Sequence, residues 1–235
     1  MYKLGVIGGM GPEATELLYH KIIKHTEADC DQEHIDMIIL NHATVPDRTK
    51  AILEGREEDV ISVLKKDISL LSDCGVSNIV IPCNTSHCFF DKLSEGAKTN
   101  IINMVEETVD YIKESGRKKA GIMCTEGTLK MGLYKKACEK RGIEFTEPDD
   151  ENLKLTMKII YDQIKKGEKG SLEDFNKVTE WFLKKGCDCV LIACTELSVL
   201  MSNYQIKDSF LADALDILAV KAVEASGGKL KNEIQ

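Results

Sequence analysis

Residues 74–85 read CGVSNIVIPCNT, and residues 185–196 read KGCDCVLIACTE. The two stretches align without a gap, which places Cys83 on Cys194 and Asn84 on Thr195. In each, a glycine precedes a short apolar run that is typical of a buried strand in a parallel sheet. Any such strand explains the apolar residues, but not Cys-Asn-Thr and Cys-Thr-Glu at the same register. The chain is therefore predicted to contain two similar halves.

Strands and helices alternate along the rest of the sequence. Short β-branched runs predict strands, and longer segments with apolar residues at helical spacing predict helices. The predicted strands are residues 3–7, 36–41, 78–81, 101–102, 119–123, 143–145 and 188–193; the predicted helices begin at Pro12 and near Ser86 and cover 57–73, 105–115, 131–141, 153–166, 172–185 and 212–225, with fraying expected over 227–235. This alternation predicts an α/β fold whose parallel sheets are covered by helices on both faces.

The composition excludes several classes of protein. The chain has 235 residues, with 31 Lys+Arg against 39 Asp+Glu and a formal net charge of −8. Neither nucleic acid nor a membrane surface is therefore expected as a partner. No apolar run approaches the ~18 residues of a membrane-spanning helix, and the first predicted strand reaches glycine too early for a signal peptide. Nine cysteines, an odd number, argue against a disulfide framework and indicate a cytoplasmic protein.

Cys83 and Cys194 are each predicted to follow a strand directly and to precede a helix. Open α/β sheets bind ligands at the carboxyl ends of their strands. Free main-chain N–H groups and the positive end of a helix dipole lower the pKa of a nearby thiol, and they also bind carboxylates. If the two halves face each other, two thiols reach one cleft from opposite sides, which suits inversion at a carbon atom. The other seven cysteines are expected to be packing residues.

Three segments resemble the aspartate/glutamate racemases, and aspartate racemases in particular: GVIGGMGP at residues 5–12, PCNTSH at 82–87 and ACTEL at 193–197. The resemblance covers nearly the whole chain. It implies cofactor-independent racemisation of a small-molecule amino acid, with aspartate as the first expectation and glutamate as the next. Cys83 and Cys194 are then the two acid/base groups, acting on opposite faces of the α-carbon.

The same resemblance implies a domain organisation. Two pseudo-symmetric α/β domains are expected, each a mostly parallel sheet flanked by helices, with the active site in the cleft between them. The first domain is expected to comprise residues 1–104 with 210–235 and to carry Cys83. The second is expected to comprise residues 105–209 and to carry Cys194. A homodimer is compatible with this organisation.

The resemblance also assigns substrate contacts. Arg48 matches an arginine that aspartate-type members use on the side-chain carboxylate. A lysine in the segment YDQIKKG, taken as Lys165 rather than Lys166, is expected to have a similar role. The remaining expected contacts lie in loops that follow strands: Met10, Asn84, Thr85, Ser86, Thr125, Thr128, Thr195 and Glu196.

Two motifs suggest other kinds of site. Residues 9–14, GMGPEA, loosely match a dinucleotide-binding loop, but Pro12 removes an amide donor where pyrophosphate would lie. Cys83, His87 and Cys88 have a spacing compatible with a metal, but no matching ligand set occurs elsewhere in the sequence. Neither a metal nor a cofactor is therefore expected. Another reaction on the same scaffold (a decarboxylase, a cis–trans isomerase or a hydantoin racemase) and a non-catalytic amino-acid-binding protein remain alternatives.

Overall fold

The computed structural model describes residues 2–231, and the chain divides into two compact units. The first unit contains the residues up to Met104 together with those from Leu215 onward, and the second contains Val105–Ala214. The expected boundary at residue 210 needs correction. Residues 211–213 form a strand that pairs within the second sheet, so this segment belongs to the second unit.

Each unit is built on a four-stranded parallel sheet, and the two sheets have the same strand order. The first sheet has the order β2-β1-β3-β4 and the second the order β6-β5-β7-β8. The strands are β1 (Leu4–Gly8), β2 (Met37–Asn41), β3 (Asn78–Val80), β4 (Asn100–Ile101), β5 (Lys119–Cys124), β6 (Glu144–Thr146), β7 (Cys189–Ala193) and β8 (Leu211–Asp213). The predicted α/β class with parallel sheets is confirmed.

Helices connect the strands in both units. In chain order they are α1 (Pro12–His25), α2 (Arg48–Glu54), α3 (Glu57–Asp73), α4 (Phe90–Ser94), α5 (Met104–Glu114), α6 (Glu126–Met131), α7 (Leu133–Lys140), α8 (Asp150–Met157), α9 (Leu172–Lys184), α10 (Thr195–Asn203) and α11 (Ala214–Ala225), with shorter 3₁₀ segments at Asp31–Glu33 and Thr85–Phe89. Within residues 2–231, none of these helices has the length and apolar character needed to cross a bilayer.

Helix α3 illustrates how the sequence specifies these elements. Its buried side chains Val60, Leu64, Ile68 and Leu71 recur at helical spacing, and acidic residues occupy its first turn, where they complement the helix dipole. The predicted helix over 57–73 is confirmed with the same bounds.

Four predicted helices differ from the structure, and the one expected near Ser86 is the 3₁₀ segment Thr85–Phe89. The segment 131–141 is interrupted at Gly132. This glycine has a φ of 62°, ends α6 and directly precedes α7. The segment 153–166 begins as α8, continues as a π-helix over Lys158–Gln163 and ends as a 3₁₀ turn over Ile164–Lys166. The segment 212–225 begins as strand β8 and becomes helical only at Ala214.

The last helix, α11, is tied to the N-terminal part of the chain. Asp216 Oδ1 lies 2.6 Å from Lys21 Nζ and 3.0 Å from His25 Nε2, and Asn78 Nδ2 donates to the Ala225 carbonyl at 2.9 Å. Burial raises the pKa of Asp216, but His25 and Lys21 outweigh it and bring the pKa to about 2. These contacts explain why a C-terminal helix belongs to the first unit.

The chain after α11 remains attached to the end of α1. The Glu27 N–H donates to the Lys229 carbonyl at 2.8 Å, and the Lys231 N–H donates to the His25 carbonyl at 2.9 Å. The predicted fraying is therefore wrong for residues 229–231, and residues 232–235 lie outside the described part of the chain.

Glycines at equivalent positions of β1 and β5 allow a helix to pack closely against each sheet. A Cβ atom on Gly5 would lie 2.9 Å from Leu71 Cδ1, the flexible end of an α3 side chain. A Cβ atom on Gly121 would overlap Cδ1 of the Phe182 ring on α9. The aromatic ring cannot move aside as the leucine methyl can. A side chain is therefore tolerated less well at Gly121 than at Gly5.

We expect Gly121→Ala to reduce the free energy of unfolding by about 1–3 kcal/mol, the usual cost of overpacking a core. Gly5→Ala, the matched control in the first sheet, should cost less. Replacing Phe182 with leucine in the Gly121→Ala background should restore part of the loss. Urea denaturation monitored by circular dichroism measures all three; equal losses for Gly5→Ala and Gly121→Ala would contradict the packing argument.

Candidate active site

The loop after β1 is held by side chains of α1 and α2. The Gly9 N–H donates to Thr15 Oγ1 at 2.9 Å, and the Thr15 hydroxyl donates to the Gly11 carbonyl at 2.9 Å. Met10, which was predicted to line the substrate site, is buried. Ser86 Oγ donates to its sulfur at 3.5 Å. Two predicted contacts, Met10 and Ser86, thus meet in the first unit.

Arg48 connects this loop to the loop after β2. It is the first residue of α2 and is buried. Its Nη1 donates to the carbonyls of Val45 and Pro46 at 3.2 and 3.1 Å, and its Nη2 donates to the Met10 carbonyl at 3.4 Å. These bonds fix the plane of the guanidinium and show that Arg48 holds two loops together, a role that the sequence pattern did not indicate.

Cys83 is buried, but it does not follow its strand directly. Strand β3 ends at Val80, and Ile81 and Pro82 intervene before Cys83. The next residues form a five-residue 3₁₀ helix, Thr85–Phe89, rather than an α-helix, so fewer peptide dipoles point at this thiol than predicted. Three predicted contacts follow in sequence and are also buried: Asn84, Thr85 and Ser86.

The surroundings of His87 and Cys88 indicate packing roles rather than metal binding. His87 Nδ1 donates to the Cys83 carbonyl at 2.9 Å, and its ring stacks on Phe90 with a centroid separation of 6.0 Å. Burial lowers the pKa of His87 and raises the pKa of Cys88 to about 12. Among residues 2–231, no group of three or more His, Cys, Asp or Glu side chains is arranged to hold a metal ion.

Cys194 occupies the N-cap of α10, directly after β7. Its thiol donates to Glu196 Oε2 at 3.0 Å, and the other oxygen, Oε1, lies 3.0 Å from Lys165 Nζ. Thr195 Oγ1 also donates to Oε2, at 3.4 Å. The second unit therefore brings four predicted site residues into one contiguous group of polar contacts.

The environment of Cys194 favours the protonated thiol. Burial and then the Glu196 carboxylate raise the pKa of Cys194 well above its usual value. Lys165 and the Glu196 main-chain N–H lower it, but less strongly. The predicted depression of the thiol pKa by the helix N-terminus is thus wrong for Cys194, because desolvation and a carboxylate 3.0 Å away outweigh the helix.

The structure distinguishes between the two candidate lysines. Lys165 pairs with Glu196, and its Nζ lies 4.9 Å from the centroid of the Tyr161 ring. Lys166 pairs with the exposed Asp162, and its side chain is 60% exposed. Both lysines belong to the 3₁₀ turn Ile164–Lys166, which follows the π-helix Lys158–Gln163. Tyr161 was not predicted, although Tyr and Lys four residues apart share a helix face and could have indicated it.

Thr125 and Thr128 lie at the same sheet edge as Cys194. Strands β5 and β7 pair in parallel with Cys124 opposite Ala193, so the residues that follow, Thr125 and Cys194, begin neighbouring loops. Thr125 caps α6: its Oγ1 accepts the Thr128 N–H at 3.3 Å, and the two hydroxyl oxygens are 3.1 Å apart. Both side chains are buried.

The family model described as Asp/Glu/hydantoin racemase matches residues 7–222. The chain belongs to this family. It is 24% identical over 215 residues to "Broad specificity amino-acid racemase RacX" of Bacillus subtilis (strain 168), covering 86% of this chain and 88% of that protein.

Two solved structures share the fold over almost their whole length. "Picrophilus torridus aspartate racemase" has 29% sequence identity and a TM-score of 0.78, covering 97% of this chain and 96% of the other. A "putative Asp/Glu Racemase from Yersinia pestis" has 26% identity and a TM-score of 0.81, covering 96% and 99%. The resemblance to the aspartate/glutamate racemases is thereby confirmed, and family membership supports amino-acid racemase activity.

We expect the Cys194 thiol to titrate above about pH 8.5, the usual value for cysteine, because its raised pKa keeps the proton on sulfur until higher pH. The difference in thiolate ultraviolet absorbance between wild type and Cys194→Ser, followed over pH, measures this. A parallel Cys30→Ser variant, which removes an exposed cysteine, controls for the loss of one thiol from the absorbance. A Cys194 midpoint at or below the usual value would contradict the assignment.

Proposed function

We propose that this protein is a cofactor-independent racemase of acidic amino acids, with aspartate as the preferred substrate and glutamate next. The observation that carries the proposal is the matched position of two buried thiols. Cys83 follows β3 and Cys194 follows β7, and these strands occupy the same place in two sheets of identical order. Because the chain belongs to the Asp/Glu/hydantoin racemase family, we interpret the two matched thiols as the acid/base pair of a racemase.

The proposed reaction is a proton exchange at the α-carbon by two thiols. One thiolate takes the α-proton, and the electron pair of the C–H bond remains on the substrate as a carbanion. The other thiol then donates its proton to the opposite face, which gives the other enantiomer. The proposal requires Cys83 and Cys194 to reach the same α-carbon.

The α-proton is a weak acid, so acid–base groups alone do not account for catalysis. General acid–base catalysis contributes about 10²–10⁴-fold. Groups that stabilise the developing negative charge must supply the rest of the rate enhancement. The main-chain N–H groups at the start of α10 are candidates, together with the buried side chains of Asn84, Thr85 and Thr195.

The protonation state of Cys194 assigns its first role. Its raised pKa makes it a thiol at neutral pH. In the free enzyme Cys194 is therefore the acid, and we assign Cys83 as the base for the enantiomer that this form accepts. For the opposite enantiomer, Cys194 must first lose its proton.

Specificity for acidic side chains rests on Lys165 and Arg48. The ammonium of Lys165 offers a point charge to a second carboxylate, and Arg48 offers a guanidinium whose plane is fixed by main-chain carbonyls. Similarity to a protein named aspartate racemase supports this choice. Similarity to a protein named as a broad-specificity racemase favours a second candidate, a racemase that also accepts neutral amino acids.

We expect Cys83→Ser and Cys194→Ser each to lower racemisation by at least about 10²–10⁴-fold, because a serine hydroxyl is too weak an acid to replace a thiol. Loss of the α-proton of L- and D-aspartate in D₂O, followed by NMR, measures the rate. Cys187→Ser, which alters another buried cysteine of the same repeat, should remain near wild type. Near wild-type racemisation in both directions by either catalytic variant would refute the two-thiol mechanism.

We expect Lys165→Met to reduce kcat/KM for aspartate by about 10–150-fold, which corresponds to about 1.5–3 kcal/mol for a hydrogen bond to a charged group. The rate with alanine should change much less. Lys166→Met is the matched control, because Lys166 is the neighbouring residue and its Nζ lies 3.1 Å from Oδ1 of the exposed Asp162. Equal losses for aspartate and alanine, or wild-type preference for alanine, would favour the broad-specificity candidate.

A further inference from the structure

The contacts of Glu196 are not explained by substrate binding alone. Its side chain is only 7% exposed, and its carboxylate contacts two groups with opposite functions, the Cys194 thiol through Oε2 and the Lys165 ammonium through Oε1. A buried carboxylate is stable only when it is paired and hydrogen-bonded. The partners that stabilise Glu196 are therefore a proposed acid/base thiol and the proposed substrate-binding cation.

We propose that Glu196 couples recognition of an acidic substrate to removal of the proton from Cys194. In the free enzyme Lys165 is bound to Glu196. The side-chain carboxylate of the substrate competes for Lys165, and the released Glu196 then accepts the proton of Cys194. The inference rests on the proposed function, since it applies to substrates that carry a second carboxylate.

The proton transfer is balanced within these groups. The S–H bond of Cys194 breaks, the sulfur keeps the electron pair, and an O–H bond forms at Glu196 Oε2. Lys165 keeps its proton throughout. These steps belong to the enzyme form in which Cys83 is also a thiol: the resulting Cys194 thiolate takes the α-proton of the substrate, and Cys83 donates its proton to the opposite face. After product release, Glu196 returns its proton to water and Cys83 recovers one.

The geometry suits this exchange. Thiol and ammonium use different oxygens of one carboxylate, so Lys165 can leave without a change in the Sγ–Oε2 distance of 3.0 Å. Removal of a cation 3.0 Å from a carboxylate raises the basicity of that carboxylate. The Lys165 side chain is 26% exposed, and the Tyr161 ring provides a second surface for its ammonium.

The chain contains a similar ion pair that lacks the thiol. Glu173 lies in the first turn of α9 and pairs with Lys177 at 2.7 Å, but its side chain is 79% exposed. An exposed pair of this kind contributes little to stability. Glu173→Gln is therefore the matched control for Glu196→Gln.

The decisive experiment measures binding, turnover and thiol reactivity in Glu196→Gln. Binding of succinate, a dicarboxylate without an amino group, should tighten by about threefold or more, because the charge of Glu196 no longer competes for Lys165. The kcat for aspartate should fall by about tenfold or more, because the proton acceptor is lost. Alkylation of Cys194 by iodoacetamide at fixed pH, read by mass spectrometry, should become faster, because a neighbouring negative charge has been removed.

Lys165→Gln tests the link between the two groups. Succinate binding should weaken, because the cation is absent, whereas alkylation of Cys194 should become faster, because Glu196 without Lys165 accepts the thiol proton. Slower alkylation, which would follow if Lys165 acted only by lowering the pKa of this thiol, would overturn the proposal. A purely structural role for the ion pair predicts weaker succinate binding in both variants, and that result would overturn the proposal as well.

The outcomes separate this inference from the proposed function. If wild type racemises aspartate while Glu196→Gln keeps its kcat and binds succinate no more tightly, the inference fails and the proposed function stands. If wild type exchanges no α-proton of an acidic amino acid, the proposed function fails. The succinate and alkylation measurements then still decide whether Glu196 links Lys165 to Cys194.

Discussion

A parallel sheet requires each connection to leave from the carboxyl edge of one strand and return to the amino edge of the next. In both units every strand pairing is parallel, so the loops that follow neighbouring strands begin side by side. This constraint brings Met10 near Ser86 in one unit and Thr125 to the same edge as Cys194 in the other. The polar residues of each unit lie close together because the loops that carry them all begin at the carboxyl edge of the same sheet.

Electrostatics then distinguishes the two halves. The second unit surrounds its thiol with a buried carboxylate and an ammonium, whereas the residues after Cys83 are hydroxyl and amide side chains on a short 3₁₀ turn. The repeat shows part of this difference, because Thr85 aligns with Glu196, but it gives no sign that Lys165 lies beside that carboxylate. Similar strand orders thus support two dissimilar thiol environments, and a reaction that uses both thiols need not use them in the same way.

The sequence predicted what periodicity and position encode. The apolar spacing in 57–73 determined α3, and the run of apolar residues before Cys194 determined β7 and the place of the thiol. Periodicity could not choose between Lys165 and Lys166, because the choice depends on a π-helix that changes the direction of successive side chains. Nor could it predict the raised pKa of Cys194, because the dominant cause is burial, which depends on tertiary packing.

Strand β8 was missed because three apolar and acidic residues before a helix match the helical pattern equally well.

The attachment of α11 to α1 has a consequence for synthesis of the chain. The second unit is continuous in sequence, whereas the first needs a helix that comes after it, and Asp216 pairs with Lys21 and His25 from nearly two hundred residues earlier. Multidomain chains usually fold from the N-terminus during translation. Here the order is reversed. The second unit is the first to be synthesised completely, whereas the first unit is complete only after α11 has been synthesised. The surface that α11 covers is therefore the one that remains open to premature association until translation ends.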